Sequence, residues 1–225
     1  MDTQPAWRTA SHQGGRGVNA DAVAAANGIV ALADGIGDDL TASHAALLAA
    51  TAAVGVPAVA GPSAALEAAH KAVTAGDCVL VVAQPFGDGY RIGWVGDVRA
   101  YAWDGVNLRQ LTKDHTLAQY FRDHGEEVTP RMEHLVTTSV HTAPTTRYGT
   151  TETSATSLVL TTDGVHKTLT DEAMTTILRH ASNPAEALVQ AAHAAGTRDN
   201  ATVVVLTGAP SPAIPLPTRP LPIAA

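Results

Sequence analysis

Apolar residues run along this chain in short blocks broken by glycine, proline and small polar residues. Blocks at 7–12, 28–33, 78–83, 90–95, 99–103, 106–111, 157–162 and 202–207 have strand length and are bounded by turn material. The first leads into a loop through Gly14, Gly15 and Gly17. Residues 41–54 are apolar on every side, as a helix packed on a sheet requires. A second helix is predicted over 63–75, with Ser63 as its cap and Gly76 as its stop, and others over 116–124, 171–180 and 184–195. The links between 78–83, 90–95 and 99–103 are too short for a parallel crossover, so these strands are read as antiparallel neighbours. Asp104-Gly105 then turns the chain into 106–111. The stretch 125–154 is polar, Thr-rich and aperiodic, and reads as a loop or small flap. Strands grouped between helical stretches indicate an α+β sandwich with helices outside stacked antiparallel sheets.

At 225 residues the chain fits one sizeable domain, placed at 1–208, and a 45% hydrophobic content supplies its core. Aromatics are only 4%, so that core is built from Val, Leu, Ile and Ala. From Ala209 to Ala225 prolines alternate with apolar residues, which predicts an extended, flexible tail. A net charge of −7 without a basic run argues against nucleic-acid and membrane-surface partners. No segment approaches the roughly 20 apolar residues that span a bilayer, and none resembles a signal peptide, so a cytoplasmic monomer is expected. The single cysteine, Cys78, excludes an intrachain disulfide and reads as a small core residue.

Charge becomes informative at three positions. Asp34 and Asp163 follow apolar runs and are themselves followed by glycine, and Asp199 stands just ahead of the last run. One Asp-Gly pair is usually a turn. Three strand-end aspartates brought together would concentrate negative charge that a cation must relieve. Oxygen-only ligands suit hard ions, Mg or Mn, better than zinc.

Six ordered motifs extend this picture. They are Arg16-Gly17-Val18-Asn19-Ala20-Asp21, Ala33-Asp34-Gly35-Ile36-Gly37, and Val95-Gly96-Asp97-Val98-Arg99-Ala100-Tyr101. Then come Leu111-Thr112-Lys113-Asp114-His115-Thr116, Thr162-Asp163-Gly164-Val165, and Arg198-Asp199-Asn200-Ala201-Thr202-Val203-Val204-Val205. In this order they resemble the metal-dependent Ser/Thr protein phosphatases of the PPM (type 2C) family, in its compact bacterial form. The resemblance implies a four-layer αββα sandwich and hydrolysis of phosphoserine or phosphothreonine in proteins by a metal-bridged water. It implies that Asp34 bridges two Mn or Mg ions, with the Gly35 carbonyl on one and Asp163 and Asp199 on the other. Asp97, with Asp163, would hold a third, looser ion, and Arg16 would clamp the substrate phosphate. The implied substrate is a phosphoprotein made by a bacterial Ser/Thr kinase.

The chain also departs from the family. Ala20 stands where Glu or Gln usually supports one metal, which implies weaker binding there and tighter binding in Ala20→Glu. Val98 replaces a Ser, and Ile36 occupies the place of a His in the animal enzymes. These departures favour an alternative, a catalytically weak or inactive pseudophosphatase acting as a binding or regulatory module. Other phosphatase chemistries fit worse. A haloacid-dehalogenase-type site needs an Asp where Leu32 or Thr161 stands, and a cysteine phosphatase needs an Arg where Gln84 stands. The ten histidines lack paired ligand spacing and read as core or surface residues, His115 as structural beside Asp114. Arg99 reads as an ion-pair residue on a strand surface.

Overall fold

Side-chain alternation along one strand shows how the layers are built. In β4 (Cys78–Phe86), Cys78, Leu80 and Val82 pack into a core shared with helices, while Val79, Val81 and Ala83 pack into a core between sheets. A strand buried on both faces reads as an unbroken apolar run, as 78–83 does. The structure is a computed structural model that describes residues 7–143 and 148–208. The predicted tail, 209–225, lies outside the described residues.

One sheet contains β2 (Asp21–Ala26), β3 (Ile29–Gly35), β4, β5 (Gly89–Val95) and β8 (Gly149–Thr153), paired antiparallel in that spatial order. The other contains β1 (Trp7–His12), β10 (Ala201–Leu206), β9 (Leu158–Thr161), β6 (Arg99–Trp103) and β7 (Leu108–Gln110), again antiparallel and in that order. Helices α1 (Leu40–Val54) and α2 (Pro62–Ala72) cover the first sheet. Helix α3 (Leu117–Asp123) follows β7, and the single turn α4 (Asp163–His166) follows β9. Helices α5 (Asp171–His180) and α6 (Pro184–Ala194) cover the second sheet. The result is the α+β, four-layer αββα sandwich expected from the sequence.

Alanine sets the spacing of the outer layer. Ala45, Ala46, Ala49, Ala50 and Ala53 of α1 are fully buried, and their small side chains let the helix backbone lie close to the sheet. Its start is held by Asp39, whose Oδ1 accepts from the Thr41 and Ala42 N–H groups at 2.8 and 2.9 Å. Cys78 is buried in this core, as read from the sequence.

Four elements differ from expectation. Strand β2 was not predicted, because Asp-Ala-Val-Ala-Ala-Ala has little β propensity. Gly28, read as the first residue of a strand, instead turns the chain with Asn27: both have positive φ, 51° and 78°, as a two-residue hairpin turn demands. Strand β8 lies inside the stretch read as a flap and pairs with β5. Helix α2 opens at Pro62 after Gly61 with no side-chain cap, so Ser63 is its second residue, and it ends at Ala72. Finally, β6 is not the neighbour of β5. It belongs to the other sheet, and the link Gly96-Asp97-Val98 carries the chain across. No helix among the described residues is long and apolar enough to cross a membrane.

The crossing depends on Gly96. Its φ is 90°, its N–H donates to His115 Nδ1 at 3.2 Å, and a Cβ there would lie 2.0 Å from Val79 Cγ1. Adding a methyl group combines left-handed strain with overpacking, each about 1–3 kcal/mol. Gly96→Ala is therefore expected to lose about 3 kcal/mol, read as a lower urea midpoint. An unchanged midpoint would show that the link has room to relax.

Candidate functional site

The chain delivers its acidic residues to one end of the sandwich. Asp34 is near the end of β3, directly opposite Asp21 at the start of β2. Asp97 lies in the link between β5 and β6, and Asp199 just before β10. Asp163 was expected to end a strand. The strand stops at Thr161, and Asp163 instead opens α4, whose close approach to β10 requires Gly164: a Cβ there would sit 2.2 Å from the Asn200 carbonyl oxygen. Gly35 is constrained in the same way, since its Cβ would meet the Ala42 carbonyl oxygen at 2.5 Å. Both Asp-Gly pairs are thus places where backbone must touch backbone, not surface turns.

Electrostatics shows how tightly the acids are gathered. The Asp34 carboxyl is held well above its ordinary range, first by burial and then by Asp21, Asp163, Asp97 and Asp199. Asp163 is raised too, chiefly by burial, with Lys167 working against the rise and Asp97 and Asp199 adding to it. Asp21 is buried and pushed up to about 7; Thr202 and Thr162 hydroxyls donate to its Oδ2 at 2.6 and 3.0 Å and moderate the effect. Its Oδ1 is buried with no hydrogen-bond partner.

Two cations meet this cluster. Arg16 donates from Nη2 to Asp199 Oδ2 at 2.6 Å, a bond that raises the guanidinium pKa further. Its loop is pinned on three sides. Asp38 Oδ1 accepts from the Gly17 and Val18 N–H groups, and Gln13 Nε2 donates to the Arg16 carbonyl at 2.7 Å. Asn200 donates to the Gln13 and Val18 carbonyls while accepting from the Ala20 N–H. The second cation is Lys167, whose ammonium donates to Asp97 Oδ2 at 2.6 Å and Asp163 Oδ2 at 3.0 Å. No three carboxylate, imidazole or thiol groups among the described residues converge as a closed ligand set.

Sequence reading named Arg16, Asp34, Gly35, Asp97, Asp163 and Asp199, and the fold brings their neighbourhoods together. It gave no role to Lys167, Asp38, Asn200 or Asp21. Lys167 was detectable, four residues after Asp163 and so on the same face of a helical turn. The partners of Asn200 and Asp21 are far away in sequence and carry no local signal. Ala20 is 1% exposed, with its carbonyl accepting from the Gly35 N–H at 3.1 Å. His115 supports the Gly96 turn, and Asp114 instead accepts from Arg99. That pair is more buried than the surface pair expected, at 20% and 5% side-chain exposure.

Asp21 makes a pH prediction for the metal-free protein. Its folded pKa of about 7 lies above the ordinary value of about 4. Between those values the folded state holds a proton that the unfolded chain has released, so stability falls as pH rises from about 4 to about 7. Asp21→Asn is expected to make that decline shallower, measured as melting temperature against pH in chelator. An unaltered slope would remove Asp21 as a contributor.

No protein-family model and no curated protein sequence matches the chain. Solved structures do. The catalytic domain of the serine/threonine phosphatase PstP in complex with two manganese ions is 27% identical, with a TM-score of 0.73 over 88% of this chain and 96% of that one. The serine/threonine phosphatase PstP/Ppp of Mycobacterium tuberculosis is 25% identical, with a TM-score of 0.75 over 88% and 96%. The PPM Ser-Thr phosphatase MsPP of Mycobacterium smegmatis, in complex with cacodylate, is also 25% identical, with a TM-score of 0.75 over 89% and 97%. Two stacked five-stranded sheets and this coverage of whole phosphatase domains give the chain the fold of the bacterial PPM-type Ser/Thr phosphatases.

Proposed function

We propose that the chain hydrolyses phosphoserine or phosphothreonine esters in proteins, with two Mn or Mg ions at the acidic end of the sandwich. The observation that carries this reading is Asp34, a half-buried carboxylate paired across from Asp21, whose carboxyl is raised first by burial and then by four other aspartates around it. Oxygen donors in that density fit hard divalent ions, and the orphaned Oδ1 of Asp21 marks unmet demand for positive charge at the same place. Asp34, the Gly35 carbonyl, Asp163 and Asp199 would hold the ions, as the likeness to a manganese-bound phosphatase supports. Bound there, the ions would supply a low-pKa water and neutralise phosphoryl oxygen charge.

The chain's own residues do the rest. Arg16 is about one-third exposed and spends one donor on Asp199, leaving others for a phosphate. The Asp38, Gln13 and Asn200 bonds fix its loop, so phosphate binding need not order it first. Ile36 and Leu40, 48% and 76% exposed, follow Asp34 in sequence and would offer apolar surface to a polypeptide substrate. A phosphoprotein made by a Ser/Thr kinase, acted on by a monomeric enzyme, is the corresponding proposal for partner and assembly.

One observation favours the second reading, a non-catalytic binding module: Asp163 and Asp199 each direct an oxygen to a protein cation. The two readings separate on turnover. Purified protein with added Mn is expected to hydrolyse a phosphothreonine peptide, and Asp34→Asn or Arg16→Ala to lower kcat/KM by about 10²-fold or more. Asp34→Asn should also lose Mn binding in calorimetry. Mn binding without turnover selects the module, and absence of both sinks the metal site.

A further inference from the structure

Lys167 differs from the chain's other lysines. Its side chain is 14% exposed, against 70% for Lys71 and 59% for Lys113, which sit in surface ion pairs. It closes the turn α4: its backbone N–H donates to the Asp163 carbonyl at 3.0 Å, and its stem carries the ammonium back over that turn. There the ammonium lies between Asp97 and Asp163, at 2.6 and 3.0 Å. These are the two carboxylates to which the sequence resemblance gives a third, looser ion. One comes from the link between the sheets and the other from α4, so the ammonium also ties the two sheets at the site.

We infer that Lys167 is a tethered cation standing in place of a third divalent ion, so that the site holds two exchangeable metals and one permanent positive charge. This rests on the two-metal reading above. An ion seeking Asp97 and Asp163 must compete with an ammonium that cannot diffuse away, so the lysine acts at a high effective concentration. Expelling it would move a positive charge off the buried Asp97 and the partly buried Asp163 while a second positive charge takes its place. On this inference Asp97 takes a different role from the one the resemblance implies. It anchors Lys167 instead of ligating a metal, and Lys167 is a positioning residue that orients Asp163.

The test counts metal, independently of turnover. Equilibrium dialysis of the full chain against saturating Mn, followed by metal analysis, is expected to find two Mn per wild-type chain. Lys167→Met keeps the apolar stem, removes the charge and is expected to take up three. Asp97→Asn, in an otherwise unchanged chain, is expected to keep two, and the double variant should return to two. Three Mn on wild type, two on Lys167→Met, or a loss in Asp97→Asn overturns the inference and leaves the two-metal reading standing. No Mn on any form removes both.

Discussion

Like charge held together at one end of the molecule is the constraint on which the rest depends. Five aspartates are gathered there, and burial makes the negative charges of Asp34, Asp21 and Asp163 harder to sustain. A fold gains nothing in stability from such a cluster, and the apolar layers must hold it in place. Three apolar cores do so, one between the sheets and one under each pair of helices. Val, Leu, Ile and Ala fill them almost entirely, so the scaffold is rigid without large aromatic contributions.

Relief comes in graded form. Arg16 reaches Asp199 from a loop and keeps donors free, whereas Lys167 is enclosed and uses its charge on Asp97 and Asp163. Asp34 and Asp21 face each other across a strand pair, with hydroxyls supporting Asp21 and no cation bonded to either in the hydrogen bonds described. The positive charge supplied by the protein thus lies to the sides of the cluster and not at Asp34. Under the proposed function, that distribution leaves the neighbourhood of Asp34 to the hard cations.

Much of this was legible in the amino-acid sequence. Apolar runs such as 78–83 and 202–207 marked strands buried on both faces, and three aspartates expected at strand ends pointed to the acidic end of the sandwich, although Asp163 opens α4. Local pattern failed where tertiary contact decides conformation. Strand β2 is nearly all alanine and is a strand because β3 pairs with it along its whole length. The short link after β5 looked like a hairpin, yet Gly96 turns the chain into the other sheet, a choice set by packing against Val79. Asn200 was quoted within a motif, but its three bonds to the Arg16 loop depend on pairings that only the closed sheet makes.

The pairing of β1 with β10 has a consequence for when the site can exist. Trp7 lies directly opposite Leu206, so the first described strand takes its sheet neighbour from the last. During synthesis β1 must wait for β10 before it has a neighbour, and Arg16 must wait for Asp199. A nascent or truncated chain lacking β10 still has the partners of the β2–β5 hairpins, but the Arg16 loop then lacks the Asp199 and Asn200 bonds that hold it. Non-local closure of this kind is slow compared with hairpin formation. The acidic end is therefore assembled late, and its completion coincides with completion of the fold.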